Sequence, residues 1–258
     1  MDPRDRVVIV TGASMGIGEA VARAYAREGA RVVLAARSFD LVEKLAGELG
    51  PDRALPVRAD LRDRAQADAV IAQAVARFGR LDILVNNAGV GLHASLVDTD
   101  PNDCQAMFTL NVFAPLWLAQ AAVPQMKKQA GGQIINVASV AGRMAFPWIG
   151  AYCATKYALD ALTTTLRMEL RRSNIHVIGI YPGPVKTPFS QNVYGDRRPE
   201  SVLRPRGVSA EAVARAVLRA SRHNRRSVMV PASLRLLIAF HRVLPGLTDR
   251  LLARFMLR

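Results

Sequence analysis

Cysteine is nearly missing from this 258-residue chain: Cys104 and Cys153 stand alone, far apart, with no metal-type spacing between them. That excludes a disulfide framework and a cysteine-held zinc site, and it fits a protein of a reducing cytoplasm. The four histidines, His93, His176, His223 and His241, are as scattered, so no metal is expected. Aromatic residues make up 6% of the chain, too few to interleave with basic residues as base-stacking platforms. No long apolar run or signal peptide heads the chain, because Met1–Arg6 is polar and leads straight into a strand-like segment. No Gly-x-Ser-x-Gly surrounds Ser139, so it is not expected to be an acylating serine. Repeats and low-complexity tracts are absent as well.

What is present is a globular composition, with half of the residues hydrophobic and a length that suits one domain. Arg6-Val-Val-Ile-Val10 is a short β-rich run of the kind buried in parallel sheets. It breaks into Thr11-Gly-Ala-Ser-Met-Gly-Ile-Gly18, followed by a helix-favouring stretch from Glu19 to Glu28 that Gly29 would cap. A strand, a glycine loop and a helix form the setting in which backbone N–H groups and a helix N-terminus hold a pyrophosphate. The glycines fall at Gly12, Gly16 and Gly18, a G-x-x-x-G-x-G spacing, and a second strand at Arg31–Ala36 completes a βαβ unit.

Strands and helices then alternate. Helices are predicted near 39–49, 63–78, 101–128 and 150–172, and strands near 53–58, 81–85, 132–138 and 175–180. Pro115 and Pro124 predict a bend and an early end in the helix near 101–128. This order implies an α/β fold with a doubly wound parallel sheet. Ligands of such sheets bind beyond the carboxyl ends of the strands. Thr11–Gly18, Arg37, Asp60, Asn87, Ser139 and Pro182-Gly183 all follow predicted strand ends, so they converge on one rim.

Tyr152 and Lys156 lie one helical turn apart and project from one face. A neighbouring ammonium favours phenolate, so the pair is expected to lower the Tyr152 pKa and exchange protons near neutrality. At the end of the second strand stands Arg37-Ser38, where NAD-preferring sites usually carry an acid. Arg37 would attract a 2′-phosphate, and Ser14 could add a bond, so NADP(H) is the expected cofactor.

Together, Thr11-Gly-x-x-x-Gly-x-Gly18, Asn86-Asn-Ala-Gly89, Ser139, Tyr152-x-x-x-Lys156 and Pro182-Gly183 resemble the compact one-domain branch of the short-chain dehydrogenase/reductase family across roughly residues 5–190. The resemblance implies a Rossmann-type fold, a nicotinamide cofactor and reversible hydride transfer between an alcohol and a carbonyl. It implies that Ser139 orients the substrate oxygen and Tyr152 exchanges the proton. Lys156 would hold the nicotinamide ribose, and Asn111 would anchor a water that relays protons. Cofactor contacts are implied for the glycine loop with Met15 and Ile17, for Asp60-Leu61 against adenine, and for Asn87, Ala88 and Gly89 beside the adenosine. Pro182, Gly183, Val185 and Thr187 would fix the nicotinamide amide. Met15 departs from the family pattern, since NADP-preferring relatives often carry a basic residue there. Relatives commonly pair through helices corresponding to 101–128 and 150–172, which implies a homodimer or homotetramer.

Leu92, Met144, Phe146 and Trp148 suggest an apolar substrate wall, and the segment from Phe189 to Gly207 a lid. Packing of the protein's own core is the other reading of those apolar residues. Residues 1–195 are therefore read as the dinucleotide-binding and catalytic core. Residues 196–258 are read as lid and C-terminal extension of the same domain. That extension is basic: residues 197–258 hold fourteen arginines against three acids, in a chain of net charge +14. No groove-binding motif accompanies them, so nucleic acid is not the expected partner. Leu234, Leu237, Ile238, Leu244, Leu247, Leu251, Leu252, Phe255 and Met256 recur at helical spacing, and Pro245-Gly246 divides them into two short helices. Three readings stay open for residues 232–258: peripheral contact with an anionic inner membrane surface, packing over the substrate cleft, or contact with a second subunit.

Overall fold

The computed structural model describes residues 1–191, 193–195 and 207–256. Most of the expected lid thus lies outside the described residues. Seven parallel strands form the central sheet: β1 (Val7–Thr11), β2 (Arg31–Ala36), β3 (Ala54–Arg58), β4 (Ile83–Asn86), β5 (Gly132–Val137), β6 (Ile175–Pro182) and β7 (Ser227–Val230). Their order across the sheet is β7-β6-β5-β4-β1-β2-β3. The chain winds outward from β1 to β3, then returns to β4 on the other side of β1. That reversal creates the crevice in which sheets of this kind hold ligands. The fold is therefore the doubly wound α/β, Rossmann-like architecture expected.

Every residue of β1 is buried, which explains why its pattern is a continuous apolar run and not an alternation. Two cores flank the sheet. On one face α1 (Gly16–Arg27), α2 (Phe39–Leu49) and α7 (Ala210–Arg222) cover Val8, Val10, Leu34, Ile135 and Ile178. On the other, α3 (Arg64–Phe78) and α5 (Ala114–Lys128) cover Ile9, Val33, Leu84 and Ile134.

The helix expected near 101–128 is built differently from the prediction. It consists of α4 (Pro101–Phe108), a π-helical turn (Thr109–Phe113) and α5. Pro115 has no N–H for the carbonyl of Asn111, and the hydrogen-bond ladder slips by one residue just before it. The early end expected at Pro124 does not occur. Pro124 lies inside the helix, and it and Gln120, whose carbonyl it leaves without its helical partner, are both on the exposed side. By length and apolarity the stretch Pro101–Lys128 would suffice to cross a membrane, but Ala114, Leu118, Ala122 and Met126 face the core. The helix α6 (Gly150–Glu169) ends slightly earlier than expected, in a 3₁₀ turn at Arg171–Ser173. Strand β7 and helix α7 were not anticipated. The C-terminal residues form α8 (Leu234–Val243) and α9 (Pro245–Met256), divided at Pro245 as the sequence indicates.

Asp82, 2% exposed, pins the start of β1 from the neighbouring strand's entry. It accepts from the Val7 N–H at 2.9 Å, from Arg6 at 3.0 Å and from Arg80 at 2.7 and 2.8 Å. Both arginines remain partly solvated, so the loss on removing Asp82 comes mainly from the stranded Val7 N–H. Asp82→Ala is expected to lower unfolding free energy by about 2 kcal/mol, read from urea denaturation midpoints.

Candidate active site

The carboxyl ends of β1, β4, β5 and β6 deliver the site. After β1, Gly12 and Gly16 adopt φ of +64° and +60°, which side-chain-bearing residues rarely do. A Cβ on Gly18 would lie 2.1 Å from the Gly12 carbonyl oxygen, and one on Gly12 would lie 2.9 Å from Ala88 Cα. The turn is thus closed tightly on itself, and it leads directly into α1. The N-cap is Met15, a residue with no side-chain oxygen to satisfy the first N–H groups of that helix. Backbone donors at a helix start beside a glycine cradle fit a pyrophosphate.

Asn87 braces this turn. Its side-chain amide donates to the carbonyls of Thr11 and Gly12 at 2.9 and 3.3 Å. Thr11 Oγ1 in turn accepts from the Asn87 and Ala88 N–H groups at 3.0 and 3.1 Å. Thr11 is therefore a positioning residue that sequence reasoning used only as a motif letter.

Ser139 follows β5, and Tyr152 and Lys156 occupy the first two turns of α6. Ser139 Oγ accepts from the Ala141 N–H at 3.1 Å and donates to the Pro182 carbonyl at 3.5 Å, and its hydroxyl lies near the Tyr152 phenol. Lys156 is 4% exposed, donates to the Val137 carbonyl at 3.3 Å, and lies 5.6 Å from the centre of the Tyr152 ring. Asn111 is fully buried in the π turn. Its Oδ1 accepts from Val90 N–H at 2.9 Å, and its Nδ2 donates to Val90 O at 2.8 Å and Thr155 Oγ1 at 3.1 Å. Gly89 is where these groups meet: a Cβ there would come 3.0 Å from Asn111 Oδ1 and 3.6 Å from Lys156 Nζ. Thr155, which donates to the Tyr152 carbonyl at 2.7 Å, links Asn111 to the catalytic-candidate helix and was not anticipated. Its position on the buried face of α6, three residues after Tyr152, is the signal that could have found it.

The electrostatics differ from expectation. Burial pushes the Tyr152 phenol well above its usual range, outweighing the lowering influence of the nearby Ser139 hydroxyl. Burial also brings Lys156 down to about 8. Both groups share a water-poor pocket, where desolvation penalises either charged form. The pull of the Lys156 ammonium does not overcome that desolvation, so the Tyr152 pKa stands above and not below its usual value.

At the far end, Arg37 and Ser38 are exposed after β2, and the Ser38 hydroxyl makes no cap bond to α2. Asp60 is gripped by Arg62 through contacts of 2.5 to 3.1 Å. Arg62 holds its carboxyl below the usual range, with Arg37 adding to the effect. Leu61 buries its side chain in the sheet core. Ser14 and Ile17 are half-buried in the glycine turn. Pro182 ends β6, and Gly183 donates to the Val230 carbonyl at 2.9 Å. Val185 pairs with Val208, while Thr187 packs against Gly16, bringing this segment to the glycine turn. Phe189 leans on Tyr152, with ring centres 6.2 Å apart.

Of the expected apolar wall, Leu92 and Met144 are buried among core neighbours. Phe146 packs beside Leu234 and Leu252, and Trp148 Nε1 donates to the Met256 carbonyl at 3.0 Å. The loop 140–149 is thus the seat of α8 and α9.

Residues 6–198 match the short chain dehydrogenase family. An uncharacterised oxidoreductase of Staphylococcus saprophyticus is 36% identical over 218 residues, covering 83% of this chain and 89% of the relative. Dehydrogenase/reductase SDR family member 7B of Bos taurus is 32% identical, covering 97% of this chain and 81% of that one. Among solved structures, a short-chain dehydrogenase/reductase of Burkholderia phymatum in complex with NAD superposes with a TM-score of 0.88 at 25% identity, covering 96% of both chains. With the fold, the glycine turn and the Ser139–Tyr152–Lys156 cluster in place, the match over most of its length shows that this chain belongs to the short-chain dehydrogenase family of oxidoreductases.

Proposed function

We propose that the protein is an NADP(H)-dependent oxidoreductase interconverting an apolar ketone or aldehyde with its alcohol. The observation that carries this reading is the meeting of Asn111 and Lys156 at Gly89, with Lys156 beside the Tyr152 ring and the Ser139 hydroxyl near that phenol. The glycine cradle and the uncapped start of α1 fit the pyrophosphate of a nicotinamide dinucleotide. Such a cofactor, when bound, supplies the hydride in reduction and accepts it in oxidation.

The protein's own residues manage the proton. Ser139 orients the substrate oxygen toward the Tyr152 hydroxyl. Because burial keeps that phenol protonated at neutral pH, it is set to donate in the direction of reduction. Lys156, charged below pH 8, stabilises the phenolate left behind. Asn111 holds the backbone of Val90 and, through Thr155, the helix that carries both groups.

The NADP(H) preference is supported by Arg37 at the end of β2, by the lack of an acid at residues 36–38, and by Arg62 as a second guanidinium nearby. Oligomerisation as a dimer or tetramer through α5 and α6 is supported by exposed Phe113, Tyr157 and Met168 on and beside these helices. The two free thiols support a reducing, cytoplasmic setting for a single-domain enzyme.

Oxidation of NADPH and NADH by a panel of ketosteroids, quinones and apolar aldehydes tests the proposal. NADPH is expected to be preferred about tenfold or more, and Arg37→Asp to remove the preference. Equal use of both cofactors, unaltered by that change, would refute it. The reduction rate is expected to fall as pH rises through 8, where Lys156 loses its proton. A rate climbing through that pH would contradict the role given to Lys156.

A further inference from the structure

Helices α8 and α9 have two apolar faces, and only one is used. The inner face, with Leu234, Ile238 and Leu252, packs on Val140, Met144 and Phe146 of the loop leading into α6. The two helices are locked together by His241 Nδ1 and Thr248 Oγ1, 2.6 Å apart, with Thr248 buried. The outer face carries Leu236, Phe240 and Val243 on α8 and Leu247, Leu251 and Phe255 on α9. These six side chains are 41–76% exposed. Spacings of three and four residues place each set along one stripe. Arg235, Arg242, Arg250 and Arg254, all exposed, precede stripe residues by one position, and Asp249 is the one acid on the two helices.

We propose that this face docks the protein onto an anionic lipid bilayer. An apolar stripe flanked by guanidinium groups buries its hydrocarbon at the acyl boundary while the cations meet lipid phosphates and carboxylates. Charge decides against a second copy of the chain as occupant: two such faces would bring eight arginines against only two acids. Large apolar side chains in this number are not left to water without a use. The helices that carry the face pack through their inner side on the loop 140–149, which leads into α6. The proposal stands independently of the cofactor and substrate assigned above.

Sedimentation with vesicles tests it directly. The full-length protein is expected to co-sediment with vesicles of phosphatidylcholine containing phosphatidylserine, to bind pure phosphatidylcholine at least about tenfold more weakly, and to be released by high salt. Arg250→Ser with Arg254→Ser should weaken binding on the order of 30-fold, at about fivefold per arginine. Leu251→Ser with Phe255→Ser should weaken it at least about tenfold. All four positions are largely exposed, and an unchanged thermal melt verifies that the fold survives. Three results would overturn the proposal: no binding to anionic vesicles, equal binding to neutral ones, or variants that bind like the parent. Light scattering supplies the rival outcome. If the Leu251→Ser, Phe255→Ser variant halves the particle mass, the face is a subunit contact and the lipid assignment fails.

Discussion

Tyr152→Phe is expected to reduce kcat by about 10²–10⁴-fold, the range lost when a positioned proton donor is removed. Cofactor affinity should be unchanged, because the Gly12–Gly18 turn proposed to hold the pyrophosphate does not include this ring. The substitution takes away one oxygen and keeps the packing against Phe189 and the Lys156 ammonium. The Ser139 hydroxyl keeps its bonds to the Ala141 N–H and the Pro182 carbonyl. Steady-state kinetics together with calorimetric titration of NADPH separate the two effects. A variant retaining full turnover would show that the proton comes from elsewhere. A parent protein that binds NADPH yet turns over no carbonyl, with a cellular role indifferent to this change, would instead be a cofactor-binding scaffold.

Gly18→Ala carries the second large effect. The added methyl would fall 2.1 Å from the Gly12 carbonyl oxygen and 2.6 Å from the Asn87 amide nitrogen. The first of these is backbone, so the turn must open to admit it. Opening also disturbs the Asn87 bonds to Thr11 and Gly12 that set the cradle. Overpacking of this kind costs about 1–3 kcal/mol in stability. Displacing several phosphate donors at once should weaken cofactor binding on the order of 100-fold, equivalent to about 3 kcal/mol. Gly47→Ala provides the control. Gly47 lies within α2 with nothing within 4 Å of the added carbon, so that change should stabilise by about 0.5–1 kcal/mol and leave binding alone. Equal behaviour of the two variants would remove the case for a steric cradle.

The contrast between β1 and β7 explains what was legible in the sequence. Val7–Thr11 is buried on both faces, so its apolar run announces a central strand. Ser227–Val230 is an edge strand with only Val230 fully buried, and Arg225-Arg226 precede it, so its residues carry little strand signal. Helix α7 was overlooked for a related reason. Its apolar stripe, Val213, Ala214, Val217 and Leu218, is interleaved with arginines that drew attention to charge over packing.

At the site, the glycine spacing and the one-turn separation of Tyr152 and Lys156 are local and were readable. An irregularity at Pro115 was readable from its missing N–H, but not the form it takes, a one-residue slip of the ladder over Thr109–Phe113. Nor was the raised Tyr152 pKa, because desolvation is set by the surroundings that tertiary structure places around a residue. The same holds for Leu92 and Met144, whose apolar side chains serve packing where a substrate wall was expected.

In the proposed reduction Tyr152 hands a proton to the carbonyl oxygen while a hydride reaches its carbon. NADPH carrying deuterium at the transferable position, incubated with an apolar ketone and followed by mass spectrometry of the alcohol, tests it most directly. One deuterium should appear on the carbinol carbon with the parent protein, and the labelled product should all but vanish with Tyr152→Phe. Alcohol formed without label, or labelled alcohol formed equally by the variant, would contradict the account.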